Sequence, residues 1–259
     1  MLSSIKKILR VKIGEKKVVL VFDDGDKLEI NPNVYTEYNF FPGKLLSKKD
    51  IKDIKSRNEI EQYISYSTKL LSSKSYSKHQ LKEKLLKKGA NEAQIEEVIS
   101  LLIKYQLLDE KSLIKEYLEY ADYRHYGYNR IKEELYHKGI SSIYIDNIKY
   151  DEARELKHAK ALLSSYEKKY DKYNYGLKKK HIYESLVRLG YSYDVANMTL
   201  EHMSPINEKK ELELLKLDYK KAKTKYEKKY GPYETIEKTK AYLLQRGYRY
   251  NDILKIKEK

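Results

Sequence analysis

The residues best spaced for metal chemistry are two Glu-x-x-His pairs, Glu134 with His137 and Glu155 with His158. A carboxylate and an imidazole three apart share a helix face, and two such pairs pointing into a bundle can hold a di-iron centre. Here the helical angles turn them away. At about 100° per residue, Ile131, Leu135 and Tyr136 set one apolar face, with Glu134 and His137 opposite. Glu155 and His158 likewise avoid the stripe of Leu156, Ala159 and Leu163. Pairs facing solvent lack further ligands and hydrogen-bonded support, so neither a metal nor a cofactor is expected. Asp23, Asp24 and Asp26 resemble a cation loop, but no bidentate Glu follows at the EF-hand position. Asp24 and Gly25, between two alternating apolar runs, read as a hairpin turn. The chain has no cysteine, no Gly-rich phosphate loop and no G-x-S-x-G elbow, so no catalytic residue is expected and the protein is not read as an enzyme.

The other chemistry available is aromatic and cationic. The chain holds 28 Tyr, and "YKKAKTKYEKKYGPY", from Tyr219 to Tyr233, interleaves them with lysine. Such a run can stack bases along a single strand. It can equally be a core stripe whose hydroxyls reach the surface. Helical spacing favours the core reading for Tyr219, Tyr226 and Tyr230. The net charge of +15 and pI near 9.4 suit a polyanionic partner. That charge is uneven: +4 over residues 1–56, +3 over 57–108, −1 over 109–150, +2 over 151–204 and +7 over 205–259.

The elements that must position these residues are set out by glycine. Gly89, Gly139, Gly190 and Gly247 each end an apolar-periodic run, at intervals of 50, 51 and 57 residues, which marks a tandem array. Each is placed where a left-handed C-cap is needed. Gly127, Gly176 and Gly231, each after a Tyr, mark the start of the same recurring helix, and Tyr76 with Ser77 opens its first copy, Ser77 and Gln80 making a capping box. Lys88, Lys138 and Arg246 precede three of the C-cap glycines, where a cation offsets the helix dipole. A third helix follows with the apolar pairs Ile95 and Val98, Ile145 and Ile148, Ile253 and Ile256, and the weaker Ala196 and Thr199. The first helix lengthens late in the chain, and two copies end in "YEKKY". Before the array, alternating runs over 8–30 predict a three-stranded meander, Asn31 and Pro32 a helix start, and Ser47 to Asp50 a capping box. The expected organisation is a 1–56 leader and three-helix repeats at 57–108, 109–150, 151–204 and 205–259. The longest apolar run, Val18 to Phe22, is far below the roughly 20 residues of a membrane span, and the start lacks a secretory signal core. A cytoplasmic protein with no membrane contact is expected.

With the repeats laid out, the chain resembles the RecX family of recombinase regulators. The carrying stretches are "YSKHQLKEKLLKKG" (Tyr76–Gly89), "LLDEKSLIKEYL" (Leu107–Leu118) and "GYNRIKEELYHKGI" (Gly127–Ile140). Asp109 and Glu110 match the family's junction between units, and Arg130, Ile131, Glu134, Leu135, Lys138, Gly139 and Ile140 match its second block. "HIYESLVRLGYSYDVA" departs, with Leu189 in place of the basic residue, and the fourth unit exceeds the three of short members. The resemblance implies a mainly α fold, tandem three-helix repeats in an elongated curved array. It implies a protein without catalysis of its own that binds the RecA–DNA filament and modulates its growth, strand exchange and ATPase activity. The partners expected are a RecA-type recombinase filament and single-stranded DNA, with double-stranded DNA as a further partner, the protein acting as a monomer. The candidate recombinase- and DNA-binding residues are Arg124, Arg130, Lys132, Lys138, Lys84, Lys87, Lys88, Lys220, Lys221 and Lys223. The other reading is a general nucleic-acid-binding helical array whose DNA contact is the whole function.

Overall fold

The protein is described by a computed structural model that covers residues 5–257. Strands β1 (Lys6–Ile13), β2 (Val18–Phe22) and β3 (Lys27–Ile30) form the expected antiparallel meander. Alternation decides which face is covered: Ile8, Val18, Leu20, Phe22, Leu28 and Ile30 are buried together with Val34 of α1 (Pro32–Tyr38). A fourth strand, β4 (Leu45–Leu46), pairs with Lys6 and Lys7 and gives the order β3-β2-β1-β4. Two residues are too few to show alternation, so the sequence carried no sign of β4. The aspartates of the β2–β3 turn are occupied within the protein. Asp24 and Asp26 pair with Lys6, and Asp23 accepts from the Lys7 amide at 3.1 Å.

Helix α2 (Lys48–Leu71) opens on the expected Ser47–Asp50 capping box. It then runs unbroken through the 56/57 position at which the sequence suggested a boundary. One helix serves two cores: Ile54 packs with the sheet, while Ile60 packs with Leu81, Leu85, Val98 and Leu102. A change in composition marks the change of core, but helix continuity needs no such mark. Asn58 ties α2 to the sheet edge, accepting from the Asn31 amide at 2.7 Å and donating to the Glu29 carbonyl at 3.2 Å. The second core is completed by α3 (Lys78–Lys87) and α4 (Glu92–Lys104), both begun by capping boxes.

The remaining helices follow in threes: α5 (Glu110–Tyr123), α6 (Tyr128–His137) and α7 (Ser142–Asp146); α8 (Glu152–Lys169), α9 (Tyr175–Arg188) and α10 (Tyr193–Leu200); α11 (Glu208–Glu227), α12 (Pro232–Gln245) and α13 (Tyr250–Lys257). By contacts the described chain forms two compact units. One holds residues up to Glu116 together with His137–Ser141; the other holds Tyr117–Tyr136 and the residues from Ser142 on. Ile95, Val98, Ile145, Ala196, Thr199 and Ile253 are buried, but Ile148 and Ile256 are only half-buried, and Ile148 lies past the end of α7, which stops at Asp146. The α8 stripe packs as expected. In α11, by contrast, Leu212 and Tyr230 reach the surface at the two ends of the stripe, because α12 and α13 cover only its middle.

Three junctions repeat one construction. The start of α3, α6 or α9 abuts a glycine turn that ends a later copy of the same helix. Ser77 Oγ donates to the Lys138 carbonyl. The Gly127 and Asn129 amides donate to the Leu189 and Gly190 carbonyls at 2.8 and 3.1 Å. Asn174 Nδ2 donates to the Arg246 carbonyl at 2.8 Å. A donor at one helix start, backbone at Gly127 and Asn129 but side-chain at Ser77 and Asn174, thus meets the unsatisfied carbonyls at the end of another helix. Gly139 and Gly190, with φ of 72° and 92°, take the left-handed turn that frees those carbonyls, as do Gly89 and Gly247. A glutamate completes each junction: Glu110 accepts from the Lys78 amide, Glu155 from the Tyr128 amide and Glu211 from the Tyr175 amide.

Burial holds the Glu155 and Glu211 carboxyls above the usual range, despite the amide that each accepts. The proton is therefore bound more tightly in the folded chain. The stability these groups contribute is complete below the unfolded glutamate value and is lost as pH rises through the folded one. A Glu155→Gln/Glu211→Gln variant keeps both acceptor oxygens and should gain urea resistance relative to wild type at pH 8 but not at pH 4. Glu155→Ala leaves the Tyr128 amide unpaired and should cost about 1–3 kcal/mol at either pH. Equal pH profiles for wild type and the double Gln variant would remove the burial argument.

Candidate protein and nucleic-acid binding surfaces

The cations expected on α6 are built around Tyr126. This ring precedes the helix, held by its amide on the Ala121 carbonyl at 2.9 Å. The Arg130 guanidinium lies 3.9 Å from the ring centroid and donates to Glu134 at 2.9 Å, one helical turn on. Arg124 approaches the same ring at 6.0 Å, and Tyr120 meets it edge-on at 5.9 Å. Hydrogen bonds from Tyr120 and then Arg124 draw the Tyr126 phenol below its ordinary value. Burial, and then Glu134, push the Tyr117 phenol up. The result is an exposed Arg124, a half-buried Arg130 and one carboxylate around a tyrosine face, which suits an anionic side chain or phosphate with an aromatic or apolar neighbour. Lys132 stands 5.5 Å from the Tyr128 ring and 3.7 Å from Asp146. Lys138 lies past the end of α6, in the other compact unit, where its carbonyl receives Ser77.

On α3 the same motif recurs. Lys74 and Lys84 lie 4.7 and 5.7 Å from the Tyr76 ring, a cation two residues before the Tyr and another from the helix, as with Arg124 and Arg130. Lys88 stands 5.7 Å from the Tyr66 ring, and Lys87 is exposed. On α11 Lys220 and Lys221 are exposed, with no ion pair or hydrogen bond of their side chains among the described residues, whereas Lys223 lies 3.6 Å from Glu227. Sequence reasoning left out other cations beside tyrosines, among them Lys169, Lys172, Lys225 and Lys238, which lie over the rings of Tyr170, Tyr173, Tyr226 and Tyr230. The repeated "YEKKY" was the available signal for Lys169, and the lysine–tyrosine run from Tyr219 to Tyr233 for Lys225.

The Glu-x-x-His pairs are used otherwise. Glu134 holds Arg130. Glu155, expected to face solvent, is only 9% exposed, because it turns to the Tyr128 amide rather than outward. His158 contacts Asp122 at 3.5 Å and packs edge-on against His125, and its burial lowers its pKa. Among the described residues no helix is long and apolar enough to cross a membrane.

Similarity to known proteins follows the same lines. The description "RecX, first three-helix domain" matches residues 64–102, which span the end of α2, α3 and most of α4. The regulatory protein RecX of Lactococcus lactis subsp. lactis is 27% identical over 261 residues, covering 97% of this chain and 94% of that protein. That of Bacillus licheniformis is also 27% identical, covering 94% of each. The chain is similar to RecX regulatory proteins over nearly its whole length. Two solved RecX structures share its fold. One, titled crystal structure of regulatory protein RecX, superposes with a TM-score of 0.64 at 19% identity over 76% of this chain and all of that one. The RecX of Lactobacillus salivarius gives 0.52 at 23% identity, over 57% and 97%. The RecX match on residues 64–102 covers Tyr76, Lys84, Lys87 and Lys88 but stops short of Tyr126 and its arginines.

Proposed function

We propose that this chain is a regulator of homologous recombination that binds the filament of a RecA-type recombinase on DNA and modulates its growth, ATPase activity and strand exchange. It would act in the cytoplasm, as a monomer and without catalysis of its own. Nearly full-length similarity to RecX regulatory proteins supports the regulatory role. The observation that carries the filament contact is the Tyr126 cluster. Its segment has a net charge of −1, so electrostatic grip on DNA does not centre there. Arginine and tyrosine are enriched at protein interfaces, and opposed charges such as Arg130 and Glu134 set register. We read residues 57–108, 109–150, 151–204 and 205–259 as four repeats behind a 1–56 leader, a reading that the three alike junctions support. Several weak contacts along such repeats would combine into avidity.

Titration against filament ATPase activity tests the proposal. Wild type should act at ratios well below one per recombinase monomer. Arg124→Glu/Arg130→Gln should need about tenfold more protein for the same effect while binding naked strand as before. If the variant acts like wild type, or the effect tracks competition for DNA, the general nucleic-acid-binding reading takes its place. The exposed Lys220 and Lys221 are the observation that favours that second reading.

A further inference from the structure

We propose that the ends of α8 and α11 form two related platforms for single-stranded nucleic acid, each a group of tyrosines bordered by lysines. The inference deepens the nucleic-acid part of the function proposed above and rests on it.

Both helices end in Tyr-Glu-Lys-Lys-Tyr, at 166–170 and 226–230. At the first end Tyr166 and Tyr170 stack at 6.2 Å, Tyr173 follows at 6.3 Å, and His181 of α9 closes on Tyr173 at 4.7 Å. Lys169 lies 5.1 Å from the Tyr170 ring and Lys172 lies 5.2 Å from Tyr173. At the second end Tyr226 and Tyr230 are 6.0 Å apart, and Tyr242 of α12 meets Tyr226 at 6.4 Å. Lys225 and Lys238 each lie 5.6 Å from a ring. Tyr230 is 37% exposed, and Tyr233, on the first turn of α12, is 81% exposed. At the first end Tyr166, Tyr170 and Tyr173 are half-buried, the first two packed against the core below, so the second end is the more open of the two.

The acids of both segments are engaged on other partners. Glu167 accepts from the Ser204 amide at 2.8 Å, Asp171 pairs with Lys178 and Lys210, and Glu227 pairs with Lys223. Lys168, Lys228 and Lys229 are exposed, with no acidic partner among the described residues. The cations at these two ends are lysines, a residue depleted at protein interfaces, whereas the Tyr126 cluster uses arginine. Lysine point charges suit a phosphate chain, and open tyrosine faces suit unpaired bases of any sequence. A duplex keeps its base faces stacked inside and offers the tyrosines nothing. Single-stranded nucleic acid is therefore the occupant that uses both features.

The chain contains no Trp, so one introduced Trp reports on one platform. In full-length Tyr233→Trp and Tyr173→Trp variants, a dT oligonucleotide should quench the emission saturably, and a duplex of equal length should not. Tyr233→Ala should weaken oligonucleotide binding about fivefold or more, and Tyr233→Phe should restore it. Lys168→Gln/Lys228→Gln, one lysine from each end, should flatten the log–log salt slope by about 1.4. Anisotropy that shows oligonucleotide binding with both Trp signals unchanged, equal quenching by duplex, or no binding at low salt would each overturn the inference. Filament ATPase measured on the same variants keeps the two readings apart. Modulation without oligonucleotide binding ends this inference and leaves the regulator standing.

Discussion

Gly127→Ala is expected to destabilise the protein by about 3 kcal/mol, the upper part of the range for overpacking. A Cβ on Gly127 would stand 2.3 Å from the Gly190 carbonyl carbon and the Tyr191 nitrogen. Those atoms are backbone, held by hydrogen bonds from Gly127 and Asn129, and cannot rotate aside. Gly231 opens α12 as Gly127 opens α6, but nothing lies within 4 Å of its Cβ position. Gly231→Ala should therefore stay within about 1 kcal/mol of wild type. Gly139→Val should lose at least about 1–2 kcal/mol through its left-handed φ, with His79 adding to the strain. Urea unfolding of the three variants checks the order. Equal losses at Gly127 and Gly231 would mean that the close approach between α6 and the α9 turn is wrong.

Affinity for naked single strand is expected to fall about a hundredfold between 50 and 200 mM salt. This follows from a log–log slope near −3.5, for roughly five phosphates neutralised. Residues 205–259 carry +7 of the +15, so this unit should supply much of the effect. Lys220→Gln/Lys221→Gln should flatten the slope by about 1.4. Lys223→Gln should change it less, because Glu227 already neutralises that charge at 3.6 Å. Binding measured across a salt series reads both slopes. An unchanged slope in the double variant would move the phosphate contact to other cations.

Local signals were legible in the chain. Ser47, Ser77 and Asn31 cap helices as their spacing with Asp50, Gln80 and Pro32 indicates, because a cap depends on residues no more than three apart. The four C-cap glycines were legible for the same reason: a left-handed turn is a property of one residue and its neighbours. The Lys-Tyr composition of the α11 end was also plain, but not which tyrosines stay open. Spacing put Tyr230 on the core stripe, whereas the reach of α12 and α13 leaves it at the surface.

By itself, then, the sequence determined the helix starts and stops, the period of the array and the excess of positive charge, all of which arise from short-range backbone chemistry or composition. Tertiary structure alone decided the partners of the charged groups. Glu155, four residues into an ordinary helix, became a buried acceptor because the Tyr128 amide, 27 residues away in sequence, faces it. Arg130 became a clamp on Tyr126 rather than a loose cation because the turn before α6 lays that ring under its guanidinium. A charge's role depends on what is brought within hydrogen-bond or ring-contact distance of it, and only the folded chain sets those distances.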